Sequence, residues 1–263
     1  EKDKNNSQLL FLLGTALIQI KDFKKGIDYL KKCLSLKSNN ASAYSNLGNA
    51  YKELLQYEEA LKNYDEAIKI NPNFADAFSN RGIILQEMNR FEEALKSYNK
   101  ALEIKPDHFF AHNNKGITLK DLNRYEEALQ SYDKAIKINP SFVEPYNNKG
   151  NIFKDIKQYD KALENYQKIM NLNPEYNYNL GKILHTSMFL NEWKNFDILN
   201  KKIDDGIKKG LSVIEPFSFL GISDDPALEK TVSEIFIKNK FKNNIEINDL
   251  DQNFDHKKPR IGY

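Results

Sequence analysis

Residues 41–74 read ASAYSNLGNAYKELLQYEEALKNYDEAIKINPNF, and the recurrence of this pattern decides the fold. Four residue types return at a constant step of 34 along the chain, namely a glycine, an alanine, a tyrosine and a proline. They stand at Gly48, Gly82, Gly116 and Gly150, at Ala60, Ala94, Ala128 and Ala162, at Tyr64, Tyr98, Tyr132 and Tyr166, and at Pro72, Pro106, Pro140 and Pro174. A fixed period of this length is the signature of a repeat architecture. The chain therefore divides into repeats at 7–40, 41–74, 75–108, 109–142 and 143–176.

Each repeat contains two amphipathic stretches, residues 42–54 and 57–70 in the second repeat, in which apolar residues recur at helical spacing. Those residues are Tyr44, Leu47, Tyr51 and Leu54 on the first stretch and Ala60, Leu61, Tyr64, Ala67 and Ile68 on the second. We expect the small residues Gly48 and Ala60 to let the paired helices approach closely. Pro72 ends the second helix, because proline lacks the backbone N–H donor and clashes with the preceding turn. The pattern predicts a helix-turn-helix in every repeat.

These columns resemble the tetratricopeptide repeat over residues 7 to about 176. The resemblance implies an all-α, right-handed superhelical solenoid of helix-turn-helix repeats, in which the first helix of each repeat lines the concave side. Stability then comes from stacking, because no single repeat buries its apolar face alone. The first repeat departs from the pattern at Gly26, Cys33 and Ser38, as expected of a repeat near a capping end.

The remaining chain is predicted to form two further regions. Residues 177–210 read as a degenerate sixth repeat in which Phe196 replaces the small residue, and we expect a longer capping helix through about Lys209. Residues 211–263 read as an interdomain loop, a helix over 226–241 with Asp225 as its N-cap, a polar linker, and the start of a missing catalytic domain at 260–263. A C-terminal helical extension is therefore expected after the solenoid.

Asparagine recurs on the predicted first helices. It occupies the sixth place of four repeats, at Asn46, Asn80, Asn114 and Asn148, and neighbouring places at Asn49, Asn113, Asn147 and Asn151. An asparagine amide offers two donors and an acceptor, so it can grip both the N–H and the C=O of an extended peptide. The alternative is compositional drift, since 32 of the 263 residues are asparagine and Leu12 breaks the column. We interpret the eight residues as a peptide-binding set.

The segments 191–197, 214–218 and 259–263 resemble, in order and rough spacing, those of O-linked GlcNAc transferases, including the SPINDLY-like branch. The resemblance implies the substrate-recruiting arm of a glycosyltransferase that acts on Ser/Thr of proteins. It gives Asn46, Asn80, Asn114 and Asn148 the role of holding acceptor backbone. A nucleotide sugar such as UDP-GlcNAc would bind only in the full-length parent, after Tyr263. Because Glu1 is not an initiator Met and the chain stops at Tyr263, we expect a fragment with no catalytic residue or cofactor of its own.

Composition excludes several classes of function. The balance of 39 basic and 37 acidic residues gives a net charge of +2, and only four arginines occur, which argues against a nucleic-acid partner. The apolar stretch 9–20 is too short to span a membrane, so we expect a cytoplasmic protein. A lone cysteine, Cys33, excludes a multi-cysteine zinc site. His108 and His112 stand four apart, but Pro106 and Asp107 favour a loop there, so no metal site is predicted.

Two further readings stay open at this point. A stand-alone tetratricopeptide adaptor or scaffold is the alternative function, although Ser45 and Asn114 stand where a carboxylate clamp needs basic residues. A homodimer is a second open possibility. The mixed charges beside the asparagine column are interpreted as a solvated face; they are Lys52, Gln86, Lys120 and Lys154 with Glu53, Glu87, Asp121 and Asp155.

Overall fold

The computed structural model of the chain describes residues 6–223 and 225–241, and every regular element among them is a helix. In chain order these are α1 (Ser7–Gln19), α2 (Phe23–Leu36), α3 (Ala41–Glu53), α4 (Tyr57–Ile70), α5 (Ala75–Glu87), α6 (Phe91–Ile104), α7 (Phe109–Asp121), α8 (Tyr125–Ile138), α9 (Val143–Asp155), α10 (Tyr159–Leu172), α11 (Asn179–Phe189), α12 (Phe196–Lys208), α13 (Pro216–Phe219) and α14 (Pro226–Lys240). They form consecutive helix-turn-helix repeats followed by a helical extension, so the predicted all-α solenoid is confirmed. The chain divides into two compact units, Glu1–Ile156 and Lys157–Tyr263.

Three residues join the two helices of each repeat, and the middle one has a left-handed backbone. The middle residues are Lys21, Leu55, Asn89, Asn123 and Lys157. Asn191 continues the same step of 34, and the φ angles of all six residues lie between 56° and 64°. Among residues with a side chain, asparagine tolerates this conformation best. The turn therefore persists into the degenerate sixth repeat, even though six residues instead of three separate α11 from α12.

In the first compact unit, the two helices of a repeat pack through the small residues that the sequence indicated. Ala60 is fully buried, and the ring of Tyr64 lies directly against Gly48. Leu54 was expected on the buried face, but it is 41% exposed. It is the residue that follows the last turn of α3, next to the left-handed Leu55, and this end of the helix pair is open to solvent.

In the second compact unit, a helix ends close to the expected Lys209, but it is not longer than the helices before it. The helix α12 ends at Lys208 and has 13 residues, one fewer than α10. A short extended segment covers these helices instead: Ile214 packs against Gly181 of α11, and Val213 packs against Gly206 of α12. The N–H of Gly181 donates to the Val213 carbonyl over 2.9 Å. Glycine is needed at both positions, since an added Cβ would lie 2.6 Å from the covering side chain.

The helix predicted after Asp225 is confirmed as α14. The Asp225 carboxylate accepts from the N–H groups of Ala227 and Leu228, over 2.9 and 3.4 Å, and Pro226 opens the first turn. This is the capping arrangement that the Asp-Pro pair predicted. The expected linker and the strand at residues 260–263 lie outside the described residues.

Candidate peptide-binding surface

The eight asparagines of the predicted peptide-binding set lie on four first helices, α3, α5, α7 and α9, all in the first compact unit. Each of these helices contacts the next one along the stack. Seven of the eight residues are half-buried, and Asn113 is buried. We call this set the asparagine surface. The structure therefore places the predicted residues on successive neighbouring helices.

We call the sixth-place asparagines of the four repeats the rungs of the asparagine surface. Two of these rungs form hydrogen bonds to the repeat that precedes them. Asn46 Nδ2 donates to Thr15 Oγ1 over 2.9 Å, and Asn80 Nδ2 donates to Asn49 Oδ1 over 3.1 Å. The two bonds are equivalent, because each acceptor stands 31 residues before its donor. Thr15 thus belongs to the asparagine surface, although the sequence analysis did not identify it.

The next two rungs behave differently, because the acceptor column changes. Ile83 and Ile117 stand where Thr15 and Asn49 stand, and an isoleucine cannot accept a hydrogen bond. Asn148 Nδ2 donates instead to Asn113 Oδ1 over 3.1 Å, and Asn113 Nδ2 donates to Asn114 Oδ1 over 3.3 Å. The asparagine column stays polar, but its hydrogen-bond partners change where the facing residue is an isoleucine.

Asn49 is held by two donors. Its Oδ1 accepts from Asn80 and also from the Tyr64 hydroxyl, over 2.7 Å. With its carbonyl oxygen occupied in this way, the Asn49 amide has two N–H donors to offer to a ligand carbonyl. The asparagine surface can therefore supply oriented amide groups, each of which already has one partner fixed by the fold.

Gln86 forms a second polar connection between repeats. Its Oε1 accepts from Thr118 Oγ1 over 2.9 Å and from the Tyr98 hydroxyl over 3.4 Å, while its Nε2 donates to Asp121 over 3.3 Å. Gln86 and Asp121 were both expected on a solvated face; Asp121 is exposed, whereas Gln86 is half-buried between the repeats. Thr118 was the available signal, since it places a hydroxyl in a column otherwise occupied by Ala50, Ile84 and Ile152.

The repeated tyrosines lie at the core of the helix pairs. Burial raises the pKa of Tyr64, Tyr98 and Tyr132, so all three hydroxyls stay protonated. Tyr64 and Tyr98 donate to Asn49 and Gln86 respectively. Among the described residues the Tyr132 hydroxyl has no hydrogen-bond partner. Ile117 and Lys120 occupy the places that Asn49 and Gln86 fill in the earlier repeats, and neither is an acceptor.

The paired histidines stabilise the start of α7 and hold no metal-type arrangement. His108 is the N-cap: its Nδ1 accepts from the Ala111 N–H over 3.4 Å, and its Nε2 lies 3.1 Å from Asp76 Oδ1. His112 lies inside α7, contrary to the expected loop, and its Nε2 donates to the Pro106 carbonyl over 3.0 Å. Burial lowers the pKa of both imidazoles. Within residues 6–223 and 225–241, no three His, Cys, Asp or Glu side chains gather as a metal site.

The repeats match a known family over most of the stack. Residues 41–74, 75–108, 109–142 and 143–176 match the Tetratricopeptide repeat, and residues 7–40 match a second description of the same repeat. The chain is a tetratricopeptide repeat protein. These five ranges coincide with the repeats that the sequence period defined.

Solved tetratricopeptide repeat structures share this fold at low sequence identity. PilW, a widely conserved type IV pilus biogenesis factor, is 15% identical with a TM-score of 0.69, covering 88% of this chain and 98% of its own. PilF of Pseudomonas aeruginosa is 15% identical with a TM-score of 0.67, covering 78% and 93%. YrrB, described as a tetratricopeptide protein with an unusual peptide-binding site, is 22% identical with a TM-score of 0.56, covering 71% and 94%. At these identities the likeness concerns the fold.

No curated protein matches the sequence of this tetratricopeptide repeat protein. In the part of the chain that the structure describes, no helix has both the length and the apolar character needed to cross a membrane.

Proposed function

We propose that this tetratricopeptide repeat protein is a protein–protein interaction scaffold that binds extended polypeptide segments along the asparagine surface. The observation that carries the proposal is the recurrence of Asn46, Asn80, Asn114 and Asn148 at one place on four successive first helices. The scaffold reading was the alternative in the sequence analysis. It is supported by the family match and by the peptide-binding site named for YrrB.

The chemistry of the amides favours a backbone ligand. An asparagine that donates one N–H to the neighbouring repeat retains a second N–H and its carbonyl oxygen, which match the C=O and N–H of a peptide unit. Neighbouring helices are spaced by about 10 Å, and an extended peptide advances ~3.3–3.6 Å per residue. Each rung therefore meets about every third residue of the ligand. Such a surface tolerates many side chains and suits a binder of different partners.

The bonds between repeats support the same function. Asn46 and Asn80 are held by Thr15 and Asn49, so their amides are ordered before a ligand arrives. A preorganised surface loses little conformational entropy on binding, which leaves more of the interaction free energy for affinity. The same bonds also link adjacent repeats, so these residues serve the stack as well as the ligand.

The narrower hypothesis, recruitment of acceptor proteins for an O-glycosyltransferase that uses a nucleotide sugar, receives no support from the comparisons. The matched structures are tetratricopeptide proteins such as MamA, PilF and PilW. The segment 259–263, which suggested the first strand of a catalytic lobe, lies outside the described residues. The general scaffold is therefore the better-supported function, and glycosyl transfer by a longer parent stays a hypothesis.

The test begins with a ligand. Extended peptides are selected from a displayed random library on the wild-type protein, and the Kd of a selected peptide is measured by fluorescence anisotropy. The double variant Asn80→Ala/Asn114→Ala removes two adjacent rungs, and we expect it to weaken binding by about tenfold or more, the equivalent of about one to two hydrogen bonds. N-methylation of the ligand backbone at every third residue is expected to weaken binding comparably.

The matched control is Asn63→Ala/Asn165→Ala. These asparagines lie on the second helices α4 and α10, where each donates to the backbone carbonyl four residues earlier. The control changes the same residue type twice without touching the asparagine surface, and its Kd is expected to stay unchanged. The scaffold proposal is wrong in this form if both double variants bind the peptide as tightly as the wild type, or if both lose it equally.

A further inference from the structure

A cleft of about 560 Å³ opens between α6, α7 and α8, within the first compact unit. Three lysines contribute to its wall, namely Lys115 of α7 with Lys134 and Lys137 of α8. Asn99 and Glu103 of α6 and the buried His112 complete its polar lining. We call this site the lysine cleft. It is built from a different set of side chains than the asparagine surface.

The place of Lys115 in the repeat holds a basic residue in three successive repeats, at Arg81, Lys115 and Lys149. Arg81 and Lys149 each form an ion pair with a carboxylate. Arg81 donates to Asp65 over 2.6 Å, and Lys149 donates to Asp133. In both pairs the carboxylate stands 16 residues before the cation, on the second helix of the preceding repeat. The residue 16 before Lys115 is Asn99, which carries no charge. Lys115 thus retains the basic residue of this place in the repeat but lacks the aspartate that pairs with it in the neighbouring repeats.

The residues that line the lysine cleft carry an excess of positive charge. Three lysines and one carboxylate line it, a formal balance of 3 − 1 = +2, and Glu103 is itself paired with Lys100 over 2.5 Å. No carboxylate of the described residues forms a salt bridge with Lys115, Lys134 or Lys137. Burial, followed by the nearby charge of Lys134, lowers the pKa of Lys115, and the nearby carboxylate of Glu127 opposes this shift. The half-buried Lys115 therefore carries its charge without an ion pair to a carboxylate of the described residues, while Lys134 and Lys137 are exposed.

We propose that the lysine cleft binds a dianionic phosphate group. A dianion matches the formal charge of +2, and the three ammonium groups with the Asn99 amide supply donors for its oxygens. The anion takes the place that Asp65 and Asp133 fill for Arg81 and Lys149. The group is either inorganic phosphate or a phosphorylated side chain of a partner polypeptide, which share this chemistry.

The test is a titration of the intact chain with sodium phosphate at pH 7.5, followed by amide chemical shifts in ¹H–¹⁵N spectra. Ionic strength is held constant with sodium chloride, because screening alone shifts surface signals. We expect saturable shifts confined to α6, α7 and α8. A second arm uses a short phosphoserine peptide and its unphosphorylated form. Tighter binding of the phosphopeptide than of phosphate identifies a polypeptide partner, whereas equal binding identifies the free ion.

Three substitutions test whether the missing carboxylate creates the anion site. Lys115→Gln is expected to weaken phosphate binding about tenfold or more, while the matched control Lys149→Gln, which removes a paired cation from the same column, leaves it unchanged. Asn99→Asp supplies the missing carboxylate and is expected to abolish binding while the protein stays folded by circular dichroism. The proposal is overturned by an absence of saturable shifts, by equal losses in the two lysine variants, or by unchanged binding in Asn99→Asp.

Discussion

The ring of Tyr64 lies on the backbone of Gly48, where a Cβ would stand only 2.6 Å from Tyr64 Cε1. The same relationship holds between Gly82 and Tyr98 and between Gly116 and Tyr132. The two columns recur together because the ring occupies the space that a glycine leaves on the first helix. Gly48 and Ala60 were expected to permit the close approach of the two helices, and the structure adds that the side chain filling the space at Gly48 is Tyr64.

This contact predicts that Gly48→Ala destabilises the protein. Alanine favours a helix over glycine by about 1 kcal/mol, but the added methyl group must displace a fully buried ring, which typically costs about 1–3 kcal/mol. We expect a net loss in the free energy of unfolding, measured by urea titration. Combining the change with Tyr64→Leu tests the cause. The double variant should lose less than the sum of the single changes, and strict additivity would show that the ring is not responsible.

The same Tyr→Phe substitution is predicted to change the free energy of unfolding differently at two positions of the tyrosine column. Tyr64→Phe removes the donor to Asn49 and is expected to lower the free energy of unfolding by about 0.5–1.5 kcal/mol. Tyr132→Phe removes a buried hydroxyl that has no partner in the described structure, so we expect no loss or a gain of up to about 1 kcal/mol. Each variant serves as the control for the other, by thermal and urea unfolding. Equal destabilisation by both changes would contradict the difference in hydrogen bonding.

The turns predict a stabilising substitution. Leu55 adopts φ 59° and is 71% exposed, so it bears the strain of a left-handed backbone without contributing much packing. Leu55→Asn is expected to raise the free energy of unfolding by up to about 1 kcal/mol, because asparagine adopts this conformation more readily. The reverse change, Asn89→Leu, moves the strain into the next repeat and should lower stability by a similar amount. Shifts of the urea midpoint in the same direction for both variants would count against this account.

His112 predicts a loss of stability in mildly acidic solution. Burial, with the backbone acceptor Pro106 opposing it and Lys134 and Lys115 adding to it, lowers the pKa of this imidazole below its ordinary value of 6.5. The unfolded chain then binds the proton first as the pH falls, so the stability that is present above about pH 6.5 declines through the lower, folded pKa. His108 acts in the same direction.

The measurement is the free energy of unfolding of the wild type and of His112→Gln between pH 8 and pH 5. We expect a shallower dependence on pH in the variant, because one of the two buried imidazoles no longer takes up a proton. An identical pH profile for the two proteins would show that His112 does not contribute to this linkage.

Local features of the chain were read correctly from the sequence. The step of 34 defined the repeats, the proline column marked where second helices end, and Asp225 with Pro226 marked the start of α14. The helix ends depend on residues within a few positions of each other, and the step of 34 is visible as recurring residue types, so spacing and residue type suffice to predict them. The asparagine column was also visible, because one place in each repeat lies on the same side of each first helix.

The tertiary structure alone decided which side chains meet across repeats. It pairs Asn80 with Asn49, leaves the Tyr132 hydroxyl without an acceptor among the described residues, and places Lys115 and Asn99 in one cleft, whereas Lys149 pairs with Asp133. Such contacts depend on the rotation and offset of packed helices, which periodicity within one helix does not specify. A single change at the facing position, such as isoleucine for asparagine at residue 117, therefore alters a neighbour's hydrogen bonding without altering its own repeat pattern. The sequence by itself determined the repeats and their order, and packing between helices decided what each repeated residue does.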